Sequence, residues 1–444
     1  MSPLNGSKPL PPALPALPLL GNLLGFLTDR HKMMRRGHDR FGPVFSFRLG
    51  PQKVAALLGP DHHQVFFGET DKALSMDRPY ANLAAVFGKV AFLASKQDYQ
   101  EQRPVLYTPF RPEKMRRYVG IMQREAQRWI DSLGLEGEFE IVTEMKGLTQ
   151  AVAGHALMGE DFQREVGRNF WSMYDHIGKS LNPAIPPHWP LPRNIRREKA
   201  KRRMSGILRP LIEERRSNPG EKDDFLQDFV EARGQSGELV DDEVVIGLIR
   251  ALMFAGHETT AGQAAWALIE LLRHPEDLEK VRKEMDSLAP GAPLDGTAMR
   301  TLAHLHYSVR EIERLHPSAD ILLRWTETEM EVGGYRIPKD WLVMVCPAVA
   351  HRLPAHWTAP DAFDPLRFGP GREEGTSHPN SLIGFGGGRH KCPGMNFANT
   401  EIMVIAALLV NQLELTLVTP DPKPDIGMGA SRPKPTRIRY RRRT

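Results

Sequence analysis

In Pro43–Leu49 the apolar Phe45, Phe47 and Leu49 alternate with Ser46 and Arg48, the period of two that marks a half-buried strand. Gly50-Pro51 follows, and Lys53–Leu58 resumes the run, so a hairpin is expected. From Lys114 to about Val244 the pattern is mostly helical. Leu181–Pro192 (LNPAIPPHWPLP) breaks it and reads as a long irregular loop, a kind of segment often tied to function. Arg193–Arg203 (RNIRREKAKRR) is strongly basic and reads first as a solvated helix face, with a specific anionic contact as the alternative.

The most informative helix is Asp241–Arg273. It opens on Asp241, Asp242 and Glu243, which suit the positive end of a helix dipole, and stops before Pro275. Its 33 residues would span roughly 50 Å. Between Val244 and Leu272 it is apolar on nearly every side, so it should be buried throughout. A second helix ends at Pro317. Strand-like runs follow at Met330–Ile337 and Trp341–Val345, then a loop-rich stretch, Pro354–Asn380. A last helix is expected from about Pro393 to Gln412, and a last strand over Leu413–Val418.

The chain has no fixed-period repeat and no sharp shift in composition. Its 444 residues would allow up to three domains by length alone. The pattern instead favours one large domain over residues 14–444 behind a Pro-rich lead, 1–13: mainly α, with small β-sheets and a long central helix. Charged residues are 25% and hydrophobic ones 41%, which excludes disorder for the bulk of the chain. Cys346 and Cys392 are the only cysteines. A disulfide scaffold and a four-cysteine zinc site are thereby excluded, and a reducing, cytoplasmic setting fits. A net charge of +5 suggests a basic patch for an acidic partner, not a nucleic-acid binder. Prolines at 9, 11, 12, 15 and 18 forbid a continuous helix near the start, and the longest apolar run, Ile402–Val410, is too short to span a bilayer. A soluble protein without a transmembrane anchor is expected.

Three clusters could carry chemistry. Phe385–Gly394 reads FGGGRHKCPG. Glycines permit positive φ and close approach to a flat ligand, and Pro393 suits the first position of a helix. Cys392 would then lie at a helix N-terminus near Arg389 and Lys391, surroundings that favour a thiolate. With no second cysteine nearby, a single axial bond to haem iron is the best candidate. Ala255–Thr260 reads AGHETT. Small Ala255 and Gly256 leave room for a ligand or O₂, Thr259 can bond the carbonyl four residues back, and Glu258 is a charge that needs a partner or a task. Glu311 and Arg314 can pair across one helical turn, and Arg367 in Phe363–Phe368 offers a third member.

These motifs, in this order, resemble the cytochrome P-450 family of haem-thiolate monooxygenases, from about Leu14 to the last strand. The resemblance implies haem b, with Cys392 as the axial ligand of the iron and Phe385 packed beside it. Gly386, Gly388 and Gly394 would let the backbone close around the sulfur. His390, Arg103, Arg324 and Tyr80 would bind haem propionates, and Ala255 would face the cofactor. Glu258 and Thr259 would deliver protons to bound O₂, while Glu311, Arg314 and Arg367 would form a structural triad. The implied activity is O₂-dependent hydroxylation of a lipophilic substrate (a terpenoid, steroid or fatty acid) with two external electrons. No flavin or iron–sulfur domain follows the last strand, so a separate ferredoxin or flavodoxin-type partner is expected, and a monomer. Tyr80 with Phe87-Gly88, Ile321–Arg324, Pro347–Pro354 and Arg439–Thr444 resemble sterol 14-demethylases. Glu258 instead resembles broader hydroxylases, since the demethylases carry a histidine there. The alternatives are a sterol 14-demethylase-like enzyme, a peroxide-driven or rearranging haem-thiolate enzyme, and a non-enzymatic haem-binding sensor.

Overall fold

The computed structural model describes residues 8–162, 167–180, 187–220, 222–234, 237–289, 293–425 and 430–443. It is mainly helical, with four small sheets among the described residues. The chain forms two compact units, Met1–Pro79 with Arg310–Cys392, and Tyr80–Val309 with Pro393–Thr444.

The first unit is organised on a five-stranded sheet. Val44–Leu49 pairs antiparallel with Gln52–Leu57, Val44 opposite Leu57, as the alternation predicts. Leu342–Val345 joins Gln52–Leu57 in parallel, and Leu322–Thr326 and Leu74–Ser75 complete the sheet. Phe45, Phe47, Val54, Ala56 and Met344 pack into one apolar cluster. Val44, Ala55, Leu57, Phe66, Val343 and Val345 pack into another. Because successive residues point to opposite faces, the sheet is covered on both sides, and the expected half-exposed strand is corrected. Ser46 is buried; its hydroxyl donates to Pro11 O at 3.0 Å, and its backbone pairs with Pro12 and Leu14. The run expected as one strand over 330–337 is two, Met330–Val332 and Tyr335–Ile337. Gly333 and Gly334, at φ +55° and +83°, turn it into a hairpin.

The second unit is built around the central helix, Asp242–Arg273. The Asp241 side chain caps its start by accepting from Glu243 N at 2.7 Å, and Pro275 opens the next helix. Residues 260–271 are buried on every side. The middle third departs from the expected full burial: Ala255 is exposed, and Ala251, Leu252, Phe254, Gly256, Glu258 and Thr259 are partly so. This helix is the one among the described residues long and apolar enough to cross a membrane, and most of its apolar window is buried inside the protein.

The helical expectation for 114–244 missed a strand. Glu136–Glu140 pairs with Arg437–Arg442, which also pairs with Leu413–Leu417. Opposed charges lie across that sheet, with Arg439 Nη2 2.7 Å from Glu138 and Arg441 bonded to Glu414. Residues 181–186 of the expected irregular loop lie outside the described residues. Pro192 opens a helix that runs to Ser217. In it Asn194 and Arg197 are buried, so the basic stretch is only partly a solvated face. The last helix starts at Met395, two residues later than expected.

Candidate functional site

In the first unit the two thiols differ in environment. Cys346 is fully buried, and burial pushes its thiol far above the ordinary range. Cys392 is exposed. Its N–H donates to Phe385 O at 2.9 Å, closing the loop between them. Gly386 and Gly388 have φ of +71° and +63°, the region that disfavours side chains. A Cβ on Gly387 would stand 2.7 Å from the Phe67 ring, and one on Gly388 3.0 Å from Phe67 Cβ. Gly394 is different: at φ −82° it caps the last helix without needing a glycine's freedom, and Pro393 lies outside that helix. The expectation that Pro393 is the first helical residue is therefore corrected.

Two further groups support the loop, and neither was singled out in the sequence. Glu313 is buried on the helix Ala303–Leu315 and accepts the backbone N–H groups of Gly384 and Phe385. Burial pushes its carboxyl up to about 7, against the opposing pull of Arg310 and Lys391. A Cβ on Gly384 would lie 2.6 Å from Glu313 Cγ, so that glycine makes room for the acid. Asp71, at φ +67°, has Oδ2 2.9 Å from His390 Nε2. The adjacent Thr70 hydroxyl accepts from Arg324 Nε at 3.0 Å, and the Arg324 guanidinium lies 4.8 Å from the Phe66 ring centroid. His390 and Arg324 are thus brought together on two consecutive residues. The signal for Asp71 was weak, a lone acid in a turn.

Glu311, Arg314 and Arg367 are also brought together, all completely buried. Glu311 accepts from Arg314 Nε and Nη2, each at 2.7 Å, from Arg367 Nε at 3.0 Å and from Asp364 N at 2.9 Å. Arg314 further donates to the carbonyls of His351, Pro360 and Ala362, and Arg367 to Glu374 at 2.8 Å.

In the second unit, Thr259 Oγ1 donates to Ala255 O at 2.5 Å, the bond four residues back that can bend a helix. Glu258 is 34% exposed at its side chain and lies 3.4 Å from Lys146 Nζ, so the charge has its partner. His257, the residue before Glu258, is buried with Nδ1 2.7 Å from Met253 O. A Cβ on Gly256 would meet nothing within 4 Å, which leaves this face of the helix free of bulk. Arg103 is exposed on the helix Lys96–Tyr107, 4.9 Å from the Tyr107 ring and hydrogen-bonded to Tyr99, whose hydroxyl burial pushes up to about 12. Tyr80 is half-buried on the helix Asp77–Phe87.

The residues fit a haem by the chemistry of their donors. One exposed thiol stands in a glycine-framed loop, with two nitrogen-bearing side chains, His390 and Arg324, anchored on neighbouring residues. The central helix presents a face of small side chains.

Residues 11–439 match the sequence profile described as Cytochrome P450. The chain is 31% identical over 453 residues to a sterol 14-demethylase of Arabidopsis thaliana, covering 98% of this chain and 92% of the plant protein. It is 30% identical over 436 residues to a sterol 14alpha-demethylase of Mycolicibacterium vanbaalenii, covering 95% and 96%. Among solved structures, the retinoic acid-bound cyanobacterial CYP120A1 superposes with a TM-score of 0.87 at 24% identity, over 99% of this chain and 100% of that one. The haem domain of cytochrome P450DA does so at 0.86 and 22%, over 99% of both. These two likenesses speak for the fold. A profile match along nearly the whole chain, with relatives at about this identity from end to end, places the protein in the cytochrome P450 family, monooxygenases that bind haem b through a cysteine thiolate.

Proposed function

We propose that this P450 uses O₂ and two external electrons to hydroxylate a lipophilic substrate, with Cys392 as the axial thiolate. When bound, the haem supplies the O₂ activation and the C–H oxidation. The chain's own groups hold it and manage protons. The Cys392 sulfur ligates; Arg324 and His390 bind propionates, joined by Arg103 and Tyr80; Phe385 packs beside the sulfur, and Ala255 leaves space on the central helix.

The observation that carries the reading is the Glu258–Thr259 pair on the open middle of that helix. Glu258 is exposed enough to exchange protons with solvent and is kept in place by Lys146. The Thr259 hydroxyl donates its hydrogen to Ala255 O, which leaves its oxygen lone pairs to accept one from water. The test is Thr259→Ala: electron consumption should outrun product several-fold. Coupling equal to that of the unaltered enzyme would overturn the assignment. Product formed with peroxide but not with reductant and O₂ would favour the peroxide-driven alternative.

A terpenoid, steroid or fatty acid is the proposed substrate class. It is supported by the sterol demethylases among the relatives and by the retinoic acid in one structural neighbour. Sterol 14-demethylation is the second reading, favoured by the end-to-end likeness to those enzymes. A titration of sterols that leaves the haem spectrum unmoved would dismiss it. The electron donor on this reading is a separate ferredoxin or flavodoxin-type protein, docked on Arg389 and Lys391, which stand exposed beside Cys392. A cytoplasmic monomer completes the proposal.

A further inference from the structure

Among the described residues, one buried cation of the second unit pairs with no acid. Arg250 lies on the central helix and is 6% exposed. Among the described residues its side chain makes one hydrogen bond, from Nε to Ile246 O at 3.3 Å, and no carboxylate comes within ion-pair distance. The nearest acids are committed elsewhere. Glu243 is bonded to Arg209, and Glu198 is shared between Arg197 at 2.9 Å and Lys201 at 3.4 Å. Arg209, Arg197 and Lys201 thus engage the two carboxylates that stand nearest to Arg250. Burial lowers the proton affinity of both Arg250 and Lys201, the expected response of charges held away from water. A charge this buried normally keeps a counter-charge, and none of the described residues supplies one to Arg250, which leaves a place for an anion from outside the chain.

The surroundings indicate what else that anion carries. Arg250, Phe254 and Glu258 are four residues apart and share one face of the helix. Phe254 packs on Phe87 with ring centroids 4.9 Å apart. Gly247, one turn before Arg250, is pressed against Val90 and Phe87. Lys201 Nζ donates to Ala85 O at 2.8 Å, which holds the second cation over the helix that carries Phe87. A basic end is thus followed by an aromatic stretch, and then by Glu258 and Thr259, about 12–14 Å further along the helix axis.

We propose that Arg250, with Lys201 beside it, binds the carboxylate of a lipophilic acid, an acyl or isoprenoid chain whose apolar part runs along Phe254 and Phe87 towards Thr259. The carboxylate and guanidinium match in charge and can pair through two parallel hydrogen bonds. The carbon to be oxidised then lies far from the acid group. The inference rests on the monooxygenase reading and narrows its substrate class.

The test is direct binding by calorimetry to the haem-loaded protein. Palmitic acid and farnesoic acid are compared with their methyl esters, on the unaltered protein, Arg250→Leu and Arg250→Lys. At least one acid should bind tenfold or more tightly than its ester. Arg250→Leu should erase that preference while leaving ester binding within twofold, and Arg250→Lys should keep part of it. Equal binding of acid and ester, equal loss of both in Arg250→Leu, or no binding of either acid would overturn the proposal. Should Arg250→Leu fail to fold, Arg250→Lys and Lys201→Met decide by the same ratio. Product analysis adds a second arm, since hydroxylation next to the carboxylate would also overturn it. Selective acid binding without any O₂-dependent product would sink the monooxygenase reading and leave the anion site standing.

Discussion

Replacing Glu311 with alanine should be among the most damaging single changes in the first unit. Its carboxylate is the acceptor for three guanidinium hydrogen bonds and one backbone N–H, in a place where all three charged side chains are out of contact with water. Losing one partner of a buried ion pair costs about 3–5 kcal/mol, because the other charge is left uncompensated. Here two charges are affected, but unequally. Arg367 keeps Glu374, whereas Arg314 is left with carbonyls alone. The expected loss is therefore about 4 kcal/mol, a large part of a total stability of about 5–15 kcal/mol. Glu311→Gln preserves the shape and loses the charge, and should cost about 2 kcal/mol. Urea midpoints of the haem-loaded proteins, followed by circular dichroism and by Soret absorbance, provide the assay. The double change Glu311→Leu/Arg314→Met removes a cation together with the anion and should be less harmful than Glu311→Ala. An alanine variant within 1 kcal/mol of the unaltered protein, or a double variant worse than the single one, would refute the reasoning.

Other outcomes follow from the cysteine loop. The Glu313 carboxyl titrates near 7 in the folded chain and near 4.5 unfolded, so the folded state holds the extra proton between those values. Its contribution, on the order of 3 kcal/mol, is fully present below about pH 4.5 and lost as pH rises through 7. Comparing urea midpoints at pH 5 and 8 should show that loss, and Glu313→Gln should flatten it; an unchanged slope in the variant would discard the assignment. Gly388→Ala forces a side chain into φ +63° and against Phe67. A cost of about 1–2 kcal/mol is expected, read as faster haem loss to apomyoglobin, and an unchanged rate would count against the glycine frame. If Arg389 and Lys391 dock an acidic donor, the reduction rate should fall steeply between 50 and 300 mM salt, beyond roughly one Debye length of screening. A flat salt profile would assign them to the loop alone.

Much of this was legible in the chain because it rests on local pattern. The central helix announces itself by capping acids, a terminal proline and an unbroken apolar span. The hairpin at 44–57 shows its period of two, and the glycines before Cys392 require positions that only a special backbone takes up. What could not be read depends on partners distant in sequence. The pattern put Glu258 in a dry interior, whereas the structure gives it Lys146, 112 residues away. Nothing local distinguished Gly394, at φ −82°, from Gly388, at φ +63°. The strand Glu136–Glu140 is written in charges, and its arginine complement arrives some 300 residues later. That no described acid pairs with Arg250 likewise depends on residues scattered along the chain.

The first unit's sheet has a consequence for how the protein is made. Gln52–Leu57 leaves the ribosome early, yet its parallel neighbour, Leu342–Val345, is synthesised about 285 residues later (from residue 57 to residue 342). At about 5–20 residues per second the gap lasts roughly 15–60 s. Throughout it the nascent hairpin stands as two strands with both faces apolar and an unpaired edge, a species that is marginally stable and adhesive. Slower translation or scarcer chaperone should therefore lower the yield of intact enzyme even where the final free energy is unchanged.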